Sequence, residues 1–470
     1  MCYNCNRVLE VKEEKMDGFI MKANDKKIID ESQKWLDIIS TKKISEPTAR
    51  RIVSETLENF ESYYNKGFLE YRKSVTESDG FAAVEWNGSG SYFTDVLGRK
   101  YLDLLGGFGI YSAGIRHPKI VKAVRDQLKR MSLSSQELLD PLRGALSEIL
   151  GEIAPGDLQY CFFINNGTDA VEGAMKLARL YTGKSGFISF IKGFHGKSYG
   201  SLSLMGKAEF RVPFEPLLQD VYFVPYGDAA AVEQELQRAR MVGFDIAGVM
   251  VEPVQGEAGA IVPPDDFFPK LRKICDRYGV LLIADEVQTG LGRTGKLFGV
   301  NHWNVAPDIM CLGKALGGGV MPLSAFMSTP KIWKVMEPNP FIHSSTFGGN
   351  PLACAAGIAS INVTLSENLA GKAAKSGKYL IDELRKIQKE NEDYLIDVRG
   401  LGLLIGMEFI DSEFGYAVAA GLFKRGILVA GTLLNSKTIR IEPALNISRK
   451  SLDYFLEVFR QTIKSVKKGW

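Results

Sequence analysis

The chain has 470 residues, 45% of them hydrophobic, and its 58 Lys and Arg nearly balance its 55 Asp and Glu, giving a net charge of +3. This length and apolar content allow two or three domains with large cores, and the balanced charge argues against a surface for nucleic acid. The sequence has no run of about 18 apolar residues that would predict a membrane span, and its polar N-terminus lacks an apolar signal core. We therefore expect a cytoplasmic protein.

The N-terminal segment, residues 1–29, is polar and charged and predicts a flexible tail. Within it, Cys2 and Cys5 form a lone CxxC pair. A structural zinc site needs about four ligands, so we interpret both as free thiols and expect no metal site. The other cysteines have apolar neighbours and predict buried thiols in a reducing compartment: Cys161, Cys275, Cys311 and Cys354.

Residues 28–64 contain two helical stretches, and Tyr92–Leu104 predicts two strands joined by a Leu-Gly turn. From about residue 118 to 325, apolar strands alternate with helices, which indicates a largely parallel sheet covered on both faces. The predicted strands are Tyr160–Ile164, Phe187–Ile191, Val221–Val224, Ala247–Val251, Val280–Ala284 and Ile309–Leu312. The last part of the chain predicts further helices, a strand at Thr438–Ile441 and a closing amphipathic helix.

Polar or aromatic side chains follow five of these strands. In chain order they are Asn165–Thr168, Lys192–His195, Glu252, Asp285 with Glu286, and Lys314. Ligands of parallel α/β sheets bind beyond the carboxyl ends of the strands. Together, the five strand ends predict one site for a cofactor that is anionic, aromatic and carries a basic nitrogen.

Pyridoxal 5′-phosphate (PLP) is such a cofactor. Its aldehyde needs a lysine amine to form a Schiff base, and Lys314 is followed by glycines that allow close approach of a ligand. Its ring nitrogen needs a fixed carboxylate, and Asp285 ends an apolar run in which an unpaired carboxylate would be costly. Its phosphate needs backbone N–H donors, which Gly167 and Thr168 offer at a helix start.

Each of these residues also has an ordinary interpretation when taken alone. Lys314 could be a surface lysine beside a glycine loop, Asp285 a helix cap or ion-pair partner, and Thr168 a simple cap. Phe194 could stack on a flat ring or belong to the core. His195 could contact a ligand or be a satisfied polar residue. Only the combination favours PLP.

Four strings resemble the class III aminotransferases, which are PLP-dependent enzymes of fold type I. They are EPVQGEAG (252–259), ADEVQTGLGRTG (284–295), CLGKALGGG (311–319) and HSSTFGGNPLAC (343–354). Two further strings, LLGGFGIYSAG (104–114) and VAGTLLNSKTIRIEPAL (429–445), are similar to members of that family that act on diamines. Asn166 and Asp169 depart from the family pattern, which usually has Ser and Glu there.

The resemblance implies an α/β fold of type I. Residues 95–345 would form a large PLP-binding domain with a mostly parallel sheet flanked by helices. Residues 30–94 and 346–470 would form a smaller α/β domain from both ends of the chain. The resemblance also implies a homodimer or a dimer of dimers.

The resemblance assigns a role to each matching residue. Lys314 would be the Schiff-base lysine and proton carrier, and Asp285 would hold the ring nitrogen. Gln288 would contact the ring hydroxyl, Gly167 and Thr168 the phosphate, and Phe194 the ring face. Thr346 would reach the phosphate of the neighbouring subunit, so that activity would require the dimer.

Arg440 lies in an alternating run that by itself predicts an exposed arginine on a half-buried strand. The resemblance instead makes it the bidentate partner of the α-carboxylate of 2-oxoglutarate or glutamate. Glu257 matches the residue that neutralises this arginine when an amine substrate is bound. The physical reason is that a diamine brings no carboxylate, which would leave the arginine unpaired.

The expected reaction moves the terminal amino group of a diamine, putrescine or cadaverine, to 2-oxoglutarate. An ornithine or acetylornithine aminotransferase is the alternative within the family. A nicotinamide dehydrogenase would need GxGxxG after an early strand, and the sequence has no such string there. A non-catalytic PLP-fold binding protein is the remaining alternative, against which the joint presence of Lys314, Asp285 and Arg440 argues.

Overall fold

The computed structural model describes residues 14–16, 19–21, 23–76 and 83–470. Cys2 and Cys5 lie outside the described residues, so their predicted state stays a prediction. The four other cysteines have free thiols; three are buried as expected, whereas Cys161 is only half-buried because it lies on an edge strand of the central sheet. No helix in the described part of the chain is long and apolar enough to cross a membrane. The same residues contain no cluster of side chains suited to a metal ion.

The strands are β1 Glu14–Met16, β2 Phe19–Met21, β3 Glu85–Ser89, β4 Tyr92–Asp95, β5 Lys100–Asp103, β6 Tyr160–Ile164, β7 Gly186–Phe190, β8 Val221–Val224, β9 Ile246–Val251, β10 Leu281–Asp285, β11 Ile309–Leu312, β12 Ser324–Ser328, β13 Leu395–Leu401, β14 Leu404–Phe409, β15 Ile427–Leu428, β16 Ala430–Gly431 and β17 Thr438–Ile441.

The helices are α1 Ala23–Ser40, α2 Glu46–Asn59, α3 Lys66–Thr76, the single turn α4 Gly106–Gly109, α5 Pro118–Leu128, α6 Pro141–Ile153, α7 Gly167–Thr182, α8 Tyr199–Ser203, α9 Ala208–Arg211, α10 Ala229–Met241, α11 Phe267–Tyr278, α12 Pro330–Trp333, α13 Pro351–Ser366, α14 Leu369–Lys389, α15 Ser412–Lys424 and α16 Arg449–Gly469. A π-helical turn follows α2 at Phe60–Tyr64, and 3-10 turns lie at Val212–Phe214, Gly299–His302, Lys314–Gly317 and Lys334–Met336.

The central sheet has seven strands in the order β6-β12-β11-β10-β9-β7-β8. Its neighbours pair in parallel except for β12, which runs antiparallel to both β11 and β6. Both faces are buried, because Leu282 and Ile283 on β10 point into two different hydrophobic cores and are fully enclosed. The predicted α/β fold with a mostly parallel sheet is therefore confirmed.

Two four-stranded sheets lie outside the central one. The first has the order β13-β14-β17-β16 and is antiparallel. The second has the order β15-β5-β4-β3, and its β15 from the C-terminal part pairs in parallel with β5. Strand pairing thus joins the C-terminal part of the chain to strands near residue 100. This sheet contains residues on both sides of the predicted boundary at 94/95, and the domain limits stay a prediction.

Candidate active site

A cavity of about 180 Å³ lies at the carboxyl edge of the central sheet, where five strand ends meet. The residues after β6, β7, β9 and β11 and the last residue of β10 all contribute to its wall. It is lined by Gly167, Thr168, Phe194, His195, Gly196, Glu252, Val254, Asp285, Val287, Gln288 and Lys314. The structure therefore brings together residues from all five predicted strand ends, although Glu286 does not line the cavity and instead accepts from the N–H groups of Gly299 and Val300.

Lys314 begins a 3-10 turn directly after β11 and has a φ of 46°, a left-handed conformation that is strained for a residue with a side chain. Burial lowers the pKa of its amine, with the positive charge of Arg440 acting in the same direction and nearby carboxylates opposing it. A buried amine with a lowered pKa is a better nucleophile and proton acceptor than an exposed lysine.

Asp285 closes β10 and is almost fully buried. Its Oδ2 lies 2.8 Å from Nδ1 of His195, and its Oδ1 accepts a hydrogen bond of 3.1 Å from the backbone N–H of Val287. Burial opposes the charged form of His195, yet the hydrogen bond and the charge of Asp285 raise its pKa overall. His195 therefore fixes the orientation of the Asp285 carboxylate.

Glu252 is part of the cavity wall and anchors the backbone next to it. One of its carboxylate oxygens accepts from the Phe194 N–H at 2.9 Å and the other from the Gly256 N–H at 3.2 Å. Burial raises the pKa of Glu252 to about 7. The contact with Phe194 ties the loop after β7 to Glu252 and so positions Phe194 at the cavity, whereas the contact with Gly256 lies within the segment after β9.

The N-terminus of α7 forms the other end of the cavity. Asn166 caps this helix by accepting from the Asp169 N–H at 3.1 Å, and it does so with the same geometry that a serine cap would use. The Thr168 hydroxyl lies 2.6 Å from the Ser198 hydroxyl. The first amides of a helix have no intrahelical acceptor and attract anions. This end of the cavity is suited to a phosphate.

The residues present fit PLP. A Cβ at Gly196 would lie only 2.3 Å from the Thr168 hydroxyl oxygen, so the space beside the α7 N-terminus is kept open by the absence of a side chain. The cavity also holds the buried carboxylate of Asp285 and the half-buried side chain of Lys314. An anion site, a carboxylate for a ring nitrogen and an amine for an aldehyde are the groups that this cofactor requires.

Arg440 on β17 is fully buried, contrary to the interpretation from periodicity alone. Its Nη1 donates to Oε1 of Glu257 at 2.7 Å, whereas its Nη2 is buried without a hydrogen-bond partner. Burial alone would raise the pKa of Glu257, but the charges of Arg440 and Lys314 outweigh burial and lower it. The ion pair that the resemblance implied is therefore formed in the structure.

Glu442 was not identified from the sequence. Its carboxylate is fully buried, and its two oxygens accept from the Gln288 side-chain amide at 3.1 and 3.0 Å. The criterion that found Asp285 was its place at the end of a buried strand. Glu442 also follows a buried strand, β17, but that strand belongs to an antiparallel sheet, to which the rule for parallel sheets does not apply.

Two predicted residues lie at the margin of the site or beyond it. Phe194 is half-buried at the cavity, where it packs against Leu202, Met205 and Leu434. Thr346 is exposed and does not line the cavity; its carbonyl accepts from the Gln136 side-chain amide at 3.1 Å. A role for Thr346 in this site would therefore need a second subunit.

Comparison with known proteins identifies relatives over most of the chain. Residues 75–463 match the aminotransferase class-III family. The chain is 48% identical over 439 residues to a putrescine aminotransferase of Pectobacterium atrosepticum, with 93% of this chain and 94% of the relative covered.

Solved structures agree with this match. An ornithine aminotransferase of Toxoplasma gondii superposes with a TM-score of 0.80 at 29% identity, covering 91% of this chain and 100% of that one. An amine transaminase of an uncultivated Pseudomonas species in its PLP-bound form gives a TM-score of 0.77 at 29% identity, covering 83% of this chain and 96% of that one. The chain therefore belongs to the class III aminotransferases, which are PLP-dependent enzymes of fold type I.

Proposed function

We propose that this aminotransferase moves the terminal amino group of a diamine, putrescine or cadaverine, to 2-oxoglutarate, giving an aminoaldehyde and glutamate. The observation that carries the proposal is the pairing of buried Arg440 with Glu257, a carboxylate that the chain itself supplies. An arginine neutralised in this way does not repel a donor that is itself cationic. The 48% identical putrescine aminotransferase supports the same donor.

When bound, PLP supplies an aldehyde that accepts the amino group and a ring that withdraws electrons from the reacting carbon. Asp285, oriented by His195, would keep the ring nitrogen protonated. The first amides of α7 at Gly167 and Thr168 would hold the phosphate. Gln288 would contact the ring hydroxyl, and Phe194 would cover one face of the ring.

Lys314 would act as the proton carrier. Burial lowers the pKa of its amine, which favours the neutral form that would take the proton from the amine-bearing carbon of the donor. The same amine would return that proton on the cofactor side. The strained backbone at Lys314 holds the side chain directly after β11, where it lines the cavity.

In the second half of the reaction, Arg440 would bind the carboxylate of 2-oxoglutarate. Its unpartnered Nη2 is a donor that a carboxylate would satisfy. To bind it in a bidentate manner, Arg440 would have to exchange Glu257 for the substrate. One site would thus accept a donor without a carboxylate and an acceptor with one.

We also infer that the enzyme acts as a homodimer or a dimer of dimers, in which Thr346 reaches the phosphate site of the neighbouring subunit. Its exposure in a single chain and its position outside the cavity wall support this assignment. The cytoplasm is our expectation for its location.

The second candidate is an ornithine or acetylornithine aminotransferase, because one structural neighbour is an ornithine aminotransferase. A single assay would compare putrescine, cadaverine, ornithine and acetylornithine as donors with 2-oxoglutarate. We expect kcat/KM for a diamine to exceed that for either amino acid by at least about tenfold, the effect of about 1.4 kcal/mol in transition-state binding. A higher kcat/KM for ornithine or acetylornithine would overturn the diamine proposal.

A further inference from the structure

A second carboxylate, Glu442, contacts the guanidinium of Arg440. Its Oε2 lies 3.3 Å from Nε, whereas Glu257 occupies Nη1 at 2.7 Å. Both Arg440 and Glu442 are fully buried. Arg440 is therefore bracketed by two carboxylates, of which only Glu257 is needed for the exchange described above.

The position of Glu442 is tightly defined by the turn α4. A Cβ at Gly109 would lie 2.6 Å from the Glu442 Oε1 atom, so a glycine is required for this turn to close over the carboxylate. Gly109 has a φ of 95°, which other residues rarely adopt. A Cβ at this position would also lie 3.5 Å from the side chain of Lys314, which places Glu442 and Lys314 around one small volume.

The charged groups around Glu442 are Arg440, Arg293, Lys314 and Glu257. Arg293 is also buried, and its Nε lies 3.8 Å from the Glu442 carboxylate. Its guanidinium donates to the carbonyls of Leu403 and Pro443, so backbone groups hold it in place. Among the guanidinium and carboxylate groups alone, Arg440 and Arg293 are matched by Glu257 and Glu442, so removing the charge of Glu442 would leave guanidinium charge in excess.

We propose that Glu442 is a specificity-determining residue that keeps the donor pocket from becoming cationic, and so favours a dicationic diamine over donors of the same length that carry a carboxylate. This inference rests on the proposed function. The alternative is a structural role, in which Glu442 only fixes Arg293 and Gln288. The two roles predict different results when the charge of Glu442 is removed. If Glu442 acts through its charge, the change in rate depends on the charge of the donor. If its role is structural, the change is the same for all donors.

The Glu442→Gln substitution removes the charge of the side chain and keeps its shape. The variant and the wild type are compared in single-turnover reactions of the holoenzyme. The donors are putrescine, butylamine and 4-aminobutyrate, which share a four-carbon chain and a terminal amine but differ in the distal group. We expect the ratio of kcat/KM for putrescine to that for 4-aminobutyrate to fall by about tenfold or more, as expected for the loss of one partly screened charge. The value for butylamine should change least.

Glu235→Gln is the matched control. Glu235 is a buried carboxylate on α10 that pairs with Arg238, away from the cavity wall. The Glu235→Gln variant should leave the ratio of kcat/KM for putrescine to that for 4-aminobutyrate at the wild-type value. An equal loss with all three donors in Glu442→Gln would overturn the proposal in favour of the structural role.

A binding measurement supplies a readout that does not depend on turnover. Glutarate, a dicarboxylate without an amino group, should bind Glu442→Gln about tenfold more tightly than wild type in calorimetry, because Arg440 loses a competing carboxylate. Unchanged or weaker binding would contradict the proposal. If wild type does not react with putrescine at all, the diamine proposal fails, whereas glutarate binding and the ratio of butylamine to 4-aminobutyrate still decide the role of Glu442.

Discussion

Burial determines the chemical properties of single residues in this site. Burial lowers the pKa of the Lys314 amine, whereas the fully buried guanidinium of Arg440 is paired with carboxylates. Glu257 has an additional anchor, because its Oε2 accepts from the Leu433 N–H at 3.0 Å. That anchor holds Glu257 in place on one side while its other oxygen pairs with Arg440.

This arrangement leads to a prediction for Glu257→Gln. Without the charge of Glu257, Arg440 lacks its main partner when a diamine is bound, and so we expect the diamine half-reaction to slow by about tenfold or more. The glutamate half-reaction should change much less, because the substrate carboxylate then pairs with Arg440. Stopped-flow absorbance of each half-reaction measures both rates. A loss by the same factor in both would refute an exchange of partners at Arg440.

The sequence allowed most of the cavity-lining residues to be predicted, because they share one rule. Asp285 and Lys314 follow strands of a parallel sheet, and the carboxyl ends of such strands meet at one edge. Glu442 could not be found in this way. It reaches the site from another sheet, and only the packing of α4 against the end of β17 brings it close to Lys314.

At the scale of elements, several strands that are apolar or alternate regularly were predicted with their observed bounds, whereas β12 was missed. β6, β8, β11 and β17 coincide with their predicted ranges, because each is apolar along its length or alternates regularly. β12, Ser324–Ser328, lies inside the sheet but begins and ends with serine. Both serines are fully buried, so their polarity gave no indication of their place in the sheet.

The backbone conformation of the turn α4 cannot be predicted from hydrophobic periodicity. Its residues Gly106, Gly107, Phe108 and Gly109 all have positive φ, of 59°, 59°, 58° and 95°. The turn is fixed by contact with the chain around Glu442, because a Cβ at Gly106 would lie 2.1 Å from the Glu442 carbonyl oxygen. Its ring at Phe108 lies 5.4 Å from the Arg440 guanidinium, so this turn borders that arginine.

At the scale of the whole molecule, two loops near Thr346 expose large apolar side chains. Leu138 and Leu139 are 77% and 102% exposed, and Phe341 is 80% exposed. A hydrogen bond from Gln136 to the Thr346 carbonyl joins these loops. Apolar side chains gathered in this way on a single chain mark a surface that another protein covers.

We therefore expect this surface to lie between two copies of the chain. The double variant Leu138→Glu/Leu139→Glu should shift the enzyme from dimer or larger towards monomer in sedimentation velocity, with a parallel loss of activity. Leu97→Glu, in the exposed turn between β4 and β5, is the control and should leave both properties unchanged. An unchanged assembly in the double variant, or a fully active monomer of the wild type, would contradict this expectation.

The central claim is that Lys314 holds PLP at the cavity where five strands end. Borohydride reduction of the holoenzyme fixes a lysine-bound cofactor, and peptide mass spectrometry then locates it. We predict the pyridoxyl group on the peptide that contains Lys314, and its loss from that peptide when putrescine is added before reduction. Attachment of the cofactor to another lysine, or a Lys314→Ala enzyme that still completes many turnovers, would contradict the account.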